Sequence, residues 1–524
     1  MIRESYPICG GSFENAGVAS SLLKARLKQI GVDPAVLRRI MIAAYEAEMN
    51  VVIHAHGGNM QVSLDDRYLD LEVRDEGPGI EDIDLAVKEG FSTAPDEARQ
   101  MGFGAGMGLP NIRKNSDYFR IESQVGRGTY IKATINLRPC EESIERKNSI
   151  DVKAELCNRC LACVRECPTG ALRVHDQGPE VLAHRCIDCA LCIDACGRNA
   201  LGMKSKSLSH GVAGERAIVV PSALLVQFGF FVDPEDVIGV LGEKGYNPVL
   251  NGAGWEVSLR SAVSAYALEE NSSLPVISPV CPAVVNLVET RFPSLIPNLA
   301  PFLSPIEALL SENTDKPALC IGLCPAMSTA IRAWYQEPEV IVAHPSMLFE
   351  ALSGSFAPGG GVASREREWI NSKKPPTGIL MISGMAEVND MLERMENADV
   401  RGIDVVEPYL CSYGCFGSPL LPENSAVAQA RFRASSLFNK PEGRAVRREG
   451  LYSARRGTRL HPNIQEAMIL FSKIDRVCTG LPGRNCGRCG APSCFALAED
   501  IVLGRATRDQ CVYINNSEIK ERWN

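Results

Sequence analysis

Cysteine spacing constrains the fold of this 524-residue chain more than any other feature. Sixteen of its 20 cysteines fall into patterned groups, and two groups share the spacing C-x2-C-x2-C-x3-C. The first run comprises Cys157, Cys160, Cys163 and Cys167, and the second comprises Cys186, Cys189, Cys192 and Cys196. Disulfide frameworks are typical of small secreted domains, and zinc rarely takes eight cysteines at this spacing. The runs therefore predict iron–sulfur ligation, with zinc sites and a disulfide framework as the alternatives.

The two runs resemble those of two-cluster bacterial ferredoxins, including the proline Pro168 after the first run. In that family, three cysteines of one run and the last cysteine of the other hold each [4Fe-4S] cluster. The resemblance implies one cluster on Cys157, Cys160, Cys163 and Cys196, and another on Cys186, Cys189, Cys192 and Cys167.

The composition is that of a globular protein, with 45% hydrophobic and 23% charged residues and a net charge of −8. The acidic balance argues against nucleic acid as the main partner. A basic stretch over residues 440–459 is interpreted as a solvated linker, with a docking surface for an acidic partner as the alternative. No apolar run reaches the roughly 18 residues of a membrane span, and the start lacks signal-peptide features. Because thiolate-bound clusters need a reducing compartment, we expect a cytoplasmic protein.

The first 138 residues carry an ordered set of nucleotide-site motifs without a Gly-Lys-Thr loop. Asp33-Pro34 predicts the start of a helix over Val36–His54, on which Glu46 and Asn50 share one face. A strand then ends in an Asp and a glycine turn, a second glycine loop precedes a short helix, and a Gly-Thr pair opens the last strand. These motifs supply Asp75, Gly77, Gly79, Gly104, Gly106, Gly108 and Thr129.

This set resembles the GHKL nucleotide-binding fold of histidine kinases, Hsp90 and DNA gyrase, and most of all the serine kinases that act as anti-sigma factors. The resemblance implies ATP and Mg²⁺ as ligands, with Asn50 holding the ion, Asp75 accepting from adenine and Thr129 assisting through water. The glycines would let the backbone approach the base and the phosphates. Glu46 would be the general base for an acceptor hydroxyl, and residues 91–103 a lid.

The middle of the chain alternates strand-like and helix-like segments from Ala217 onward, with cysteines at loop positions. The segment around Ser278-Pro-Val-Cys281-Pro resembles the first active-site motif of iron-only hydrogenases, and two later segments resemble the second and third. The resemblance implies a cubane on Cys281, Cys324, Cys411 and Cys415, the last bridging to a di-iron unit. The chain departs from the family at Val280, where a proton-relaying cysteine usually stands, and at Met327, where a lysine usually stands. Hydrogen turnover and the di-iron unit are therefore doubtful, and the neighbouring Cys320 could compete with Cys324 as a ligand.

A last group, Cys486, Cys489, Cys494 and Cys511, resembles the small iron–sulfur domain of electron-transfer and corrinoid proteins. Glycines between the ligands leave amides free to bond cluster sulfurs, which tunes the potential. A four-cysteine zinc site is the alternative.

The predicted fold class is multidomain α+β and α/β. It combines a GHKL α/β sandwich, a ferredoxin-like 2[4Fe-4S] unit, a hydrogenase-like α/β body and a small C-terminal Fe–S domain. The predicted boundaries are 1–138 for the ATP-binding domain, 139–156 for a linker, 157–202 for the ferredoxin unit, 215–435 for the hydrogenase-like body, 436–465 for a basic linker and 466–524 for the last domain.

The leading functional hypothesis is a redox or gas sensor for hydrogen or carbon monoxide that couples cluster state to an ATP-dependent serine kinase. One alternative is a hydrogenase-related electron-transfer enzyme with ATP-gated activity, and another is an anti-sigma-type binding module that uses ATP only for its conformation. The expected partners are a protein with an acceptor serine or a sigma-type factor, redox proteins, and a second copy of the chain.

Overall fold

The computed structural model describes residues 2–95, 104, 106–137, 148–205, 216–229, 232–270, 272–313, 317–335, 339–356, 378–397, 400, 402–435, 437–438, 442–450 and 452–514. Residues 96–103 of the predicted lid and residues 139–147 of the predicted first linker lie outside these ranges. Within the described part of the chain, no helix has both the length and the apolar character needed to cross a membrane.

The N-terminal domain is a five-stranded antiparallel sheet covered on one face by two helices. The strands, in the order β1-β2-β3-β5-β4, are β1 (Ile2–Cys9), β2 (Gly57–Leu64), β3 (Tyr68–Asp75), β4 (Tyr118–Gln124) and β5 (Gly128–Asn136). The two covering helices are α1 (Val18–Ile30) and α2 (Pro34–His54), and two short helices, α3 (Ile83–Ala86) and α4 (Gly108–Lys114), lie between β3 and β4 in the chain. Asp33 caps α2 as predicted, because its carboxylate accepts from the amides of Ala35 and Val36.

Two short antiparallel sheets of two strands each lie around the cysteine runs. Strand β6 (Ile150–Val152) pairs with β9 (Leu201–Met203), and β7 (Leu172–His175) pairs with β8 (Gly178–Val181). One-turn helices α5 (Ala162–Glu166) and α6 (Leu191–Asp194) occupy equivalent places in the two runs. Strand β6 lies inside the segment predicted as a linker, so the chain is already paired with this unit before the first cysteine.

Two parallel sheets form the hydrogenase-like body. One has the order β11-β10-β13-β14 and the other β12-β16-β15. The strands are β10 (Ala217–Val220), β11 (Val249–Asn251), β12 (Val276–Ile277), β13 (Ala318–Ile321), β14 (Val340–Ala343), β15 (Ile379–Ser383) and β16 (Val405–Tyr409). Short runs such as Ala-Ile-Val-Val in β10 are entirely buried, as expected for parallel strands covered on both faces.

Helices cover both sheets of this body. They are α7 (Ser222–Leu225), α8 (Pro234–Glu243), α9 (Ala253–Tyr266), α10 (Pro282–Arg291), α11 (Pro305–Glu312), α12 (Pro325–Trp334), α13 (Pro345–Leu352), α14 (Met385–Glu396) and α15 (Ser425–Arg433). The loops after β12, β13 and β16 carry cysteines, so the carboxyl ends of three parallel strands place them at one edge of the sheets.

The C-terminal domain consists of α16 (Ile464–Thr479), α17 (Cys494–Val502) and the loops around them. The second half of the basic segment before it is packed, which differs from the linker interpretation, whereas Arg444 and Arg447 in the first half are largely exposed. Arg455 pairs with the fully buried Glu289, and Arg459 is also buried. Burial of Arg455 is compensated by the Glu289 carboxylate of the hydrogenase-like body and by the Cys186 carbonyl of the ferredoxin unit.

Candidate functional sites

A cleft of about 1260 Å³ lies between α2, the turn after β3 and the glycine loop before α4. Eight of the nine nucleotide-site residues predicted from the sequence line this one cleft: Glu46, Asn50, Asp75, Gly79, Gly104, Gly106, Gly108 and Thr129. The ninth, Gly77, does not line the cleft but contacts a residue that does, because its amide donates a hydrogen bond to Asp75 Oδ1 at 2.8 Å. The fold therefore brings together motifs that are 80 residues apart in the chain.

Asp75 is held in place by backbone amides. Its Oδ1 accepts from the Gly77 amide and, at 3.1 Å, from the Thr129 amide. A side chain at Gly128 is excluded, because its Cβ would lie 2.1 Å from the Asp75 carbonyl oxygen and φ there is +85°. The Thr129 hydroxyl lies 3.0 Å from the Ser123 hydroxyl, a neighbour that the motifs did not indicate. The carboxylate is thus fixed as a hydrogen-bond acceptor on the cleft wall.

Glu46 and Asn50 face the other part of the cleft from consecutive turns of α2. Asn111 of α4 donates to Glu46 Oε1 at 2.6 Å, a contact that sequence reasoning missed because Asn111 belongs to no motif. Among the described residues, the buried Asn50 Nδ2 has no hydrogen-bond partner. A Cβ on Gly108 would lie 2.9 Å from Asn50 Oδ1, so glycine leaves room beside this oxygen. Oxygen donors of this kind suit Mg²⁺ bound together with phosphates.

Residues of the hydrogenase-like body form one side of the cleft. Arg394, in the last turn of α14, and Asn397, just beyond it, line the cleft beside the α2 residues. The interface is ionic: Lys24 and Lys28 of α1 both pair with Glu396, which is 1% exposed. Burial raises the pKa of Glu396, but the charges of the two lysines outweigh it and the net shift is downward. The motifs gave no indication of this contact, which joins residues more than 340 positions apart.

The cysteines of the first predicted cluster line a single cavity: Cys157, Cys160, Cys163 and Cys196. The two runs wrap in the same way, with left-handed φ at Arg159 and Asp188 that directs each amide to a cysteine sulfur at 3.4 Å. Such amide–sulfur bonds stabilise thiolate ligands.

Cys167 lies beside the second run. Burial raises the pKa of Cys192, and the neighbouring thiols Cys189 and Cys167 raise it further. Burial also raises the pKa of Cys189 to about 12, with Cys167 again contributing. Cys196 thus lies with the first run and Cys167 lies beside the second, and the exchange of ligands that the ferredoxin resemblance implies stays a prediction.

A third cavity is lined by Cys281, Cys324, Cys411 and Cys415 together with Val280 and Met327. Cys281 and Cys324 precede the prolines that open α10 and α12, so two helix N-termini converge here. Cys320 does not line the cavity; it is fully buried in β13, where burial raises its pKa to about 12. Cys189 of the second run lines the same cavity, which places the second cysteine set next to this one.

Glu256 of α9 also lines this cavity and was not indicated by any motif. Burial raises its pKa to about 7, although a hydrogen bond from the Ser222 hydroxyl at 3.0 Å opposes the shift. The site thus contains a carboxyl group whose pKa is raised by burial above that of an ordinary glutamate.

The last group, Cys486, Cys489, Cys494 and Cys511, lines a fourth cavity. Asn485 supports it, because its Oδ1 accepts from the Cys494 amide at 2.8 Å. The domain docks on the ferredoxin unit through the Val174 amide, which donates to the Gly490 carbonyl, and through Arg185, which pairs with Glu499 at 2.6 Å. Val174 also lines the first cysteine cavity.

Comparison with known proteins matches four separate parts of the chain to four families. Residues 35–139 match the family of histidine kinase-, DNA gyrase B- and HSP90-like ATPases. An anti-sigma F factor of Caldanaerobacter subterraneus is 31% identical over 128 residues, which are 23% of this chain and 85% of that protein. The serine/threonine-protein kinase RsbT of Bacillus subtilis is 33% identical over 115 residues, 21% of this chain and 80% of that protein. Through its N-terminal domain, the chain belongs to the GHKL ATPase family.

Three further parts of this GHKL chain match iron–sulfur families. Residues 149–197 match the 4Fe-4S dicluster domain, 236–311 the C-terminal domain of the iron only hydrogenase large subunit, and 481–513 a putative Fe-S cluster family. The [FeFe]-hydrogenase HydA1 of Chlamydomonas reinhardtii (variant E141Q) aligns at 16% identity over 46% of this chain and 88% of that chain, with a TM-score of 0.33.

Proposed function

We propose that this GHKL protein is a regulator in which the state of its iron–sulfur clusters controls an ATP-binding domain that acts on a protein partner. The partner would carry an acceptor serine or be a sigma-type factor, by analogy with the anti-sigma F factor and RsbT. The regulator itself would be located in the cytoplasm, because thiolate-bound clusters need reducing conditions.

In the proposed nucleotide site, Asp75 accepts a hydrogen bond from the adenine amino group and Asn50 holds Mg²⁺ against the phosphates. The ion would offset phosphate charge during transfer. Glu46, positioned by Asn111, would take the proton of a serine hydroxyl as its oxygen bonds to the terminal phosphorus and the bond to ADP breaks. The hydrogen bond from Asn111 holds Glu46 in place for this role.

In the proposed redox part, the four cysteine sets each hold a [4Fe-4S] cluster. Their neighbours give an order. Val174 lines the first ferredoxin cavity and donates its amide to the Gly490 carbonyl, next to Cys489 of the C-terminal set, and Cys189 of the second ferredoxin set lines the hydrogenase-like cavity. Electrons could therefore pass from the C-terminal domain to the hydrogenase-like cavity.

One network of contacts carries the proposal that the two parts are coupled. Arg291 donates to the carbonyl of Pro168, next to Cys167, and pairs with Glu393 of α14. The same helix ends at Glu396, which binds Lys24 and Lys28 of the ATPase domain. A shift at the second cluster could thus move α14 against the nucleotide cleft, which is what coupling between two sites requires.

The test is ATP turnover and serine labelling of a partner by anaerobic full-length protein in oxidised, reduced, hydrogen-treated and carbon-monoxide-treated states. We expect output to differ between states. Glu46→Ala should keep ATP bound but lose transfer, and Asp75→Asn should lose ATP. Identical output in all four states would contradict the proposal.

A second candidate, a hydrogenase-related electron-transfer enzyme gated by ATP, is favoured by one observation. The cavity that contains Cys415 also contains Glu256, whose pKa of about 7 suits proton transfer. Val280 and Met327 argue against it, since neither side chain can relay a proton or donate a hydrogen bond.

A further inference from the structure

We infer that Arg394, a residue of the hydrogenase-like body, binds the terminal phosphate of ATP in the cleft of the ATPase domain. The inference rests on the proposed nucleotide-binding function and names a residue that the nucleotide motifs do not contain. Its starting point is that Arg394 and Asn397 line the same cleft as Asp75 and Asn50.

The antiparallel hairpin of α1 and α2 gives the position of this contact along the cleft. Glu48 of α2 accepts from the amides of Gly17, Ala19 and Ser20 at the start of α1. Lys24 lies more than a turn further along α1, and its ammonium group donates to Asn397 Oδ1 at 3.3 Å. Because the helices run in opposite directions, this point is level with α2 residues that precede Glu46.

Asp75 and the contact of Lys24 with Asn397 therefore lie toward opposite ends of α2, and Arg394 is one helical turn before Asn397. Asp75 lies close to His54, at the C-terminal end of α2. Asn50 and Glu46 follow as α2 is traced back toward its start, at a rise of about 1.5 Å per residue. A nucleotide with its base at Asp75 and its metal at Asn50 would direct its last phosphate toward Glu46 and Arg394.

Helix α14 holds Arg394 at this place. Val388 and Leu392 are fully buried in the hydrogenase-like core, and Glu396 is bound by Lys24, Lys28 and Ser294. Arg394 itself is exposed on the cleft side. Lys114 and Arg394 are the Lys and Arg side chains that line the cleft among the described residues. A guanidinium group is always charged and binds two phosphate oxygens at once, so it suits this role.

The consequence is that ATP and ADP are distinguished by a domain other than the one that binds the base. ADP lacks the phosphate that would reach Arg394. A movement of α14 would then change the affinity for ATP while leaving the affinity for ADP nearly constant.

The experiment measures Kd for Mg-ATP and Mg-ADP by calorimetry on anaerobic full-length protein with its clusters. Arg394→Ala should weaken ATP binding about tenfold or more, as expected for loss of a charged hydrogen bond, and change ADP binding less than about twofold. The affinity of Arg394→Lys for ATP should lie between the affinities of the wild type and of Arg394→Ala. The matched control is Arg433→Ala, which removes an exposed arginine from α15, away from the cleft.

Three results would overturn the inference. They are unchanged ATP affinity in Arg394→Ala, an equal loss for ATP and ADP, and stronger acceptor labelling at unchanged affinity, which would mean that Arg394 obstructs the acceptor. Iron content must match the wild type in each variant. If wild-type protein itself fails to bind Mg-ATP, the proposed function fails; if it binds and Arg394→Ala binds equally well, only this inference fails.

Discussion

Burial gives single side chains in this molecule chemical properties that their neighbours in sequence do not predict. Glu256 lies in a helical segment where a glutamate would ordinarily be expected at the surface. In the folded chain it faces a cavity lined by cysteines, and its pKa is raised to about 7. Cys320 is buried within strand β13 and does not line the cavity, so it does not compete with Cys324 as a cluster ligand there.

The charge of Glu256 should make the potential of a cluster in this cavity depend on pH. Below about pH 7 the carboxyl is neutral, and above it a negative charge lies near Cys415 and disfavours the reduced cluster. The midpoint potential should therefore fall as pH rises through 7, by at most about 59 mV per pH unit for a one-electron couple. As the pH rises from about 4.5 to about 7, the folded state should also lose stability. In this range the folded chain keeps the Glu256 proton and the unfolded chain has released it. Redox titrations at several pH values test the first expectation.

Glu256→Gln is the matched variant, since it keeps the shape and removes the titration. The midpoint potential of the cluster in this variant should stay constant between pH 6 and 8. A slope that persists in the variant would assign the effect to another group.

Val280 and Met327 should make hydrogen evolution very slow even in fully matured protein. Val280 cannot relay a proton, and the Met327 side chain offers no hydrogen-bond donor, although its amide donates to Cys324 Sγ at 3.4 Å. Gas chromatography with a reduced dye gives the rate. Rapid turnover would favour the second candidate function over the first.

At the scale of elements, docking between domains depends on close backbone approach. The loop of the C-terminal cysteines meets β7 at Gly490, where φ is +85° and a Cβ would lie 1.9 Å from the Val174 carbonyl oxygen. Only glycine allows this approach, so the backbone contact with Val174 adds to the ion pairs of Arg185 with Glu499 and of Arg173 with Asp500 in joining the C-terminal domain to the ferredoxin unit.

Gly490→Ala should loosen the C-terminal domain and slow electron transfer from its cluster. Gly483→Ala is the control, because φ there is +69° but a Cβ would meet nothing within 4 Å. Both variants strain the backbone, and only the first also collides with a neighbour. Limited proteolysis and stopped-flow reduction would distinguish them; equal behaviour would show that the contact does not hold the domain.

At the scale of the whole molecule, four cysteine sets imply an iron inventory. Anaerobically reconstituted protein should contain about 16 irons per chain if each set holds one cubane. Replacing Cys486 and Cys489 by serine should remove about four of them. Metal analysis with sulfide determination measures both. Zinc in the C-terminal set would contradict the proposed path of electrons.

The motifs by themselves determined what depends on short spacing along the chain. A capped helix places Glu46 and Asn50 on one face, because the helical repeat requires it. Likewise, two cysteine runs of equal spacing form two similar loops, because the same local backbone turn is needed to present three sulfurs. The domain families followed from these local patterns and are matched by the comparisons; the individual roles in ligand binding remain predictions.

Only the tertiary structure decided which distant residues share a site. Arg394, Asn111 and Glu256 belong to no motif, and their importance arises from packing between elements that no local spacing encodes. The basic segment shows the same limit: its composition indicated a solvated linker, yet Arg455 finds the buried Glu289 about 170 positions earlier. An ion pair of this kind depends on the position of both partners, and position is a property of the fold.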